Sequence, residues 1–124
     1  MTASDDVWAA VTAIYTAFLA GDRVAVDAHI SADATMWDAF HEPLIRGKGQ
    51  LDDVRDARPA GGAQPVDLRA GEPVIDVYGD LAVVRHLLTA VYADGAEQRI
   101  RNTGVWRRAD GRWLCVHNHE DTRP

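Results

Sequence analysis

Three turn signals, Gly79-Asp80, Ala93-Asp94-Gly95 and Ala109-Asp110-Gly111, divide the second half of this chain into four β-rich runs. The runs are VDLRAGEPVIDVY, LAVVRHLLTAVY, EQRIRNTGVWRR and RWLCVHNH. Strand-favouring segments separated by Asp-Gly read as consecutive antiparallel strands. The first half has a different period. SDDVWAAVTAIYTAFLAGD sets Trp8, Val11, Tyr15 and Phe18 at helical spacing, behind a capping-type Ser4 and ahead of a stop at Gly21. DRVAVDAHI predicts a short second helix, DATMWDAF a strand, and GKGQLDDVRDA a third short helix. ARPAGGAQP (57–65) reads as a loop between the halves of one domain spanning residues 1–124. Helices followed by a strand meander predict an α+β fold, with three N-terminal helices on one face of a curved antiparallel sheet.

Composition narrows the function. A chain of 124 residues, 47% hydrophobic and 26% charged, can bury a core without disulfide or metal staples. A formal charge of −6 disfavours nucleic acid or an anionic membrane as partner. Cys115 is the single cysteine, which excludes an intrachain disulfide or thiolate-rich zinc site. MTASDDVWAA lacks the basic start and apolar run of a signal peptide, and no run reaches membrane-spanning length, so a cytoplasmic protein is expected.

The turns also predict register. If Tyr92–Ala96 and Arg108–Arg112 each enclose a three-residue loop with Gly in the left-handed region, then Arg108 faces Arg112, Gly104 faces Val116, Asn102 faces Asn118, and His86 faces Asn102. Even-numbered residues, including His86, Asn102, Trp106, Asn118 and Glu120, then form an apolar face with a polar cluster at one end. Odd-numbered residues, including Arg101, Thr103, Trp113, His117 and His119, form an arginine-bearing face. Unpaired arginine is rarely buried, so the even face is expected under the helices and the odd face outward, where it suits a subunit interface.

The order FLAGDRVAV, ADATMWDAF, IRGKGQL and GVWRRADGRWLCVHNH resembles the nuclear transport factor 2-like superfamily over nearly the whole chain. The final stretch resembles the end of SnoaL-like domains and of the calcium/calmodulin-dependent kinase II association domain. The resemblance implies a cone with an internal pocket, a fold that carries isomerases, dehydratases, cyclases and assembly modules alike. ADATMWDAF also resembles the first strand of ketosteroid isomerase, which implies Asp38 as a general base at the mouth of the cone. That family's helix tyrosine falls on Ile14, one place from Tyr15, and its later-strand aspartate falls on Gly104 or Thr103.

The expected catalytic set is therefore Asp38 as base, with His86 and Tyr15 donating to a developing oxyanion. Trp37 and Trp106 are expected as aromatic walls, and Asn102, Asn118 and Glu120 as substrate contacts. His117 and His119 match two ligands of a metal site, but their face offers arginines and Thr103 rather than a third ligand, so no metal is expected. The functional expectation is a cofactor-independent isomerase, lyase or cyclase acting on a small carbonyl-containing molecule, as a homodimer joined through Arg101, Thr103, Trp113, His117 and His119. The rival reading is a ligand-binding or oligomerisation module without catalysis.

Overall fold

Helix α1 (Ala3–Leu19) begins where Thr2 and Asp5 cap each other reciprocally, the Thr2 hydroxyl accepting from the Asp5 amide and the Asp5 carboxylate from the Thr2 amide, both at 3.1 Å. The cap is Thr2 rather than Ser4. The helix stops at Gly21, whose φ of 71° allows Gly21 N–H to reach Phe18 O and Asp22 N–H to reach Ala17 O. The computed structural model describes residues 2–59 and 62–123. After α1 come α2 (Arg23–Asp27), β1 (Ile30–Asp38), β2 (His41–Arg46), α3 (Gly47–Ala57), β3 (Asp67–Tyr78), β4 (Leu81–Val91), β5 (Glu97–Ala109) and β6 (Arg112–Arg123). Of these, β2 is the one element that the sequence pattern does not predict.

The strands form one curved, unclosed sheet in the order β2-β1-β6-β5-β4-β3. It is antiparallel except where β1 lies parallel to β6. The inner face is covered by helix α1, whose Val7 and Val11 pack with Ala82, Val84, Trp106, Trp113 and Cys115. A second cluster, Val26, Ile30, Ala34, Ile45 and Leu51, fills the space under α2 and α3, and Ile14 touches both clusters. Phe18, expected on the buried stripe, is 45% exposed.

The β4–β5 hairpin has the expected register. Gly95 (φ 86°) closes the loop, Tyr92 N–H bonds to Ala96 O, and His86 faces Asn102. The β5–β6 hairpin differs in two places. Asp110 and Gly111 both have positive φ, 53° and 73°, and form a two-residue turn, so Ala109 pairs with Arg112 and Arg108 with Trp113. Beyond Trp106↔Cys115, Val116 bulges out, and pairing resumes at Val105↔His117, Gly104↔Asn118 and Asn102↔Glu120. The pairings Arg108–Arg112, Gly104–Val116 and Asn102–Asn118 are therefore corrected. The short turn moves Trp113 and Cys115 from the outer face into the core, at 6% and 4% exposure. The bulge then restores the expected faces, with Asn118 and Glu120 inward and His117 and His119 outward.

Candidate functional site

At the end of the sheet away from the Asp110-Gly111 turn, the inner face changes from apolar to polar. His86 on β4, Asn102 on β5 and Glu120 on β6 lie in a row across three adjacent strands. Asn118 faces Gly104 in the next row, where a Cβ on residue 104 would come within 2.9 Å of Trp106 Nε1 and 3.2 Å of Asn118 Oδ1. Only glycine leaves room for both side chains. Tyr15 reaches down from α1 and places its hydroxyl 2.7 Å from His86 Nε2, while the Trp8 ring meets the imidazole edge to face with centroids 5.3 Å apart.

Burial sets the protonation of this group. His86 and Asn102 are each 5% exposed. With no charge to offset desolvation, the imidazole is pushed down to about 4 and is neutral at physiological pH. Burial, reinforced by the negative charge of Glu120, raises the Tyr15 phenol above its ordinary range, so it keeps its proton. Glu120 is pushed up to about 7, first by burial and then by the charge of Asp38, while Arg58 and the bond from Asn118 act in the opposite direction. Both Asn102 Nδ2 and Asn118 Nδ2 donate to Glu120 Oε1, each at 3.4 Å. Among the described residues, none donates to Oε2.

Asp38 lies at the rim with both oxygens engaged: Arg58 Nη2 donates to Oδ1 at 3.2 Å, and the Phe40 amide donates to Oδ2 at 2.9 Å. Arg58 escapes a sequence reading because it belongs to no motif. Its one local signal is the following Pro59, which forces extended backbone (φ −70°, ψ 139°) and turns the side chain off the end of α3 towards β1.

The structure thus brings together Tyr15, His86, Asn102, Asn118 and Glu120, with Asp38 at the edge. Trp106 adjoins them from the core, its Nε1 beside Gly104 as Asn118 Oδ1 is, whereas Trp37 is turned away from them. Trp106, at 4% exposure, is part of the core under α1, and Trp37, 42% exposed, pairs with His119 on the outer face. His117 Nδ1 is 2.8 Å from Thr35 Oγ1, and His119 is exposed. Among the described residues no three His, Cys, Asp or Glu side chains are grouped to hold a metal ion. An open groove of about 720 Å³ lies at the other end of the sheet, between the start of α1 and the Asp110-Gly111 turn, and shares no residue with the polar cluster.

An open curved sheet with helices on its concave face and a polar cluster at one end defines the nuclear transport factor 2-like, or cystatin-like, class. Within it the chain belongs to the SnoaL-like domain family, whose family model matches residues 7–120. Solved structures share the fold at low identity. The kinase hub "CaMKII hub" of S. rosetta is 20% identical, with 99% of this chain and 98% of that one covered and a TM-score of 0.77. An NTF2-like protein of unknown function from Pseudomonas putida is 19% identical over 98% of this chain and 88% of that one, with a TM-score of 0.80. One from Cytophaga hutchinsonii is 13% identical over 99% and 100%, with a TM-score of 0.81. A comparison with curated proteins finds no match. Among the described residues, no helix is long and apolar enough to cross a membrane.

Proposed function

We propose that this protein is a cofactor-independent acid/base enzyme of isomerase, lyase or cyclase type, moving a proton on a small carbonyl-containing molecule bound at the polar end of the inner face. Glu120 exchanges the proton. The observation that carries this reading is the asymmetric carboxyl: two amides hold Oε1 and leave Oε2 to react. A carboxyl pushed up to about 7 is poised to act as acid or base at neutral pH. Tyr15, neutral and hydrogen-bonded to His86, serves the oxygen of the ligand, while Asn102 and Asn118 orient the carboxyl. Asp38, the base implied by the resemblance to ketosteroid isomerase, has both oxygens occupied. Its part in this proposal is to hold the proton affinity of Glu120 high.

A second role is favoured by the likeness to a kinase hub domain. We infer that copies of this chain associate through the outer sheet face, where Arg101, Thr103, His117 and His119 lie beside exposed Leu87 and Trp37. The working assembly is a cytoplasmic homodimer, and catalysis and assembly use opposite faces of the sheet.

Deuterium exchange at the carbon next to a carbonyl tests proton transfer before the net reaction is known. NMR in D2O on a panel of cyclic enones and β-keto esters is expected to show exchange above buffer that falls by about 10²–10⁴-fold in Glu120→Gln. No exchange with the wild-type protein, or equal exchange in the variant, would remove Glu120 from the mechanism.

A further inference from the structure

We propose that His86 is a positioning residue that carries its proton on Nε2 and donates it to the Tyr15 oxygen. Tyr15 then turns its own O–H to the ligand and selects a group that accepts a hydrogen bond. The 2.7 Å contact between Tyr15 and His86 can be made by either partner as donor. The other ring nitrogen decides between them. Nδ1 is fully buried and has no hydrogen-bond partner among the described residues. Among the described residues, Tyr15 and Trp8 from α1 and uncharged Asn102 on β5 face the ring, while on its other side the β3 bulge carries Glu72, which is solvent-exposed and does not shift the imidazole.

A hydrogen on Nδ1 would be a buried N–H with nothing to bond, a rare condition in folded proteins, whereas an unshared lone pair is better tolerated. The imidazolium would add a buried charge to the same orphaned hydrogen, and burial opposes it. The remaining form has the hydrogen on Nε2, where Tyr15 accepts it. The reverse tautomer would spend the Tyr15 hydrogen on His86 and leave only lone pairs for the ligand, selecting an alcohol or amine. The Nε2 form selects a carbonyl or enolate oxygen. What the ligand carries at this point rests on the acid/base reading above; where the proton sits does not.

Long-range ¹H–¹⁵N correlation on protein labelled with [¹⁵N]histidine, at pH 7 and pH 5.5, reads the tautomer without any substrate. The His86 signals, assigned by their loss in His86→Gln, are expected to be pyridine-type at Nδ1 and pyrrole-type at Nε2 at both pH values. If that variant does not fold, Tyr15→Phe assigns them instead, because losing the acceptor moves the Nε2–H resonance. A pyrrole-type Nδ1, or an imidazolium at pH 5.5, overturns the assignment. Deuterium exchange then separates the two claims. Exchange lost in Tyr15→Phe as well as Glu120→Gln supports the donor role, whereas full exchange in Tyr15→Phe overturns it and leaves the Glu120 reading intact.

Discussion

Replacing Glu120 with glutamine is expected to stabilise the protein, by an amount that grows with pH. The carboxyl titrates at about 7 in the folded protein against an ordinary value of 4.5, so the folded state holds a proton that the unfolded state has released. Below pH 4.5 both states are protonated and the group contributes nothing to the pH dependence. Between 4.5 and 7 the unfolded state gains by ionising, wild-type stability falls, and above 7 the penalty is complete. At 1.36 kcal/mol per unit the full penalty is on the order of 3 kcal/mol, which partial solvent access reduces to a working expectation of ~2 kcal/mol. The glutamine side chain cannot ionise, and its size lets the Asn102 and Asn118 amides keep an oxygen to bond. Denaturant unfolding of both proteins from pH 4 to pH 9 gives the difference directly. The contribution of His86, which has the opposite sign and is lost as pH falls from 6.5 towards 4, is common to both and cancels. A difference independent of pH, or one that favours the wild type increasingly above pH 7, would refute the claim that this carboxyl is held protonated by its surroundings.

Asp38→Asn removes the charge that raises Glu120 while leaving Arg58 in place, so the Glu120 titration should move below 7, as read by ¹³C NMR of the carboxyl carbon. Trp113→Ala should cost about 3–5 kcal/mol because the indole is part of the core, whereas Val24→Ala, at an exposed position on α2, should change stability by less than ~0.5 kcal/mol; thermal or denaturant unfolding separates them. Leu87→Asp, at an exposed position on the outer face opposite Arg101, should reduce the mass measured by light scattering to the 13.6 kDa of one chain, with circular dichroism unchanged.

Turn chemistry and periodicity make most of this architecture legible. Helices α1, α2 and α3 and the four strands of the meander follow from apolar spacing and turn residues alone. The same tripeptide, Ala-Asp-Gly, closes two hairpins in different ways. At Ala93–Gly95 the loop has three residues, and at Asp110-Gly111 it has two. Local sequence does not decide between them; burial does, because the shorter turn sends Trp113 and Cys115 into the core against α1. The bulge at Val116 has no sequence signature at all, yet it cancels the shift introduced by the turn, so Glu120 and Asn118 face inward as expected for a reason the sequence does not contain. Strand β2 is hidden because Pro43 argues against a strand at His41–Arg46, and a proline is tolerated there only because the strand is at the edge of the sheet. Arg58 is hidden because its partner Asp38 is twenty residues away, and only the tertiary fold brings them together.

The bulge at Val116 makes the end of β6 a place where register, rather than residue identity, chooses the chemistry. Were Val116 drawn into the ladder opposite Val105 while the Asp110-Gly111 turn is kept, the strand beyond it would rotate by half a repeat. His117 and His119 would then line the concave side, and Asn118 and Glu120 would face outward. One strand therefore encodes a carboxylate and amide lining in one frame and an imidazole lining in the other. Deleting Val116 would instead remove the bulge and keep the carboxylate and amides inside, so the choice between the two linings lies in the ladder and alters no side chain that builds either set.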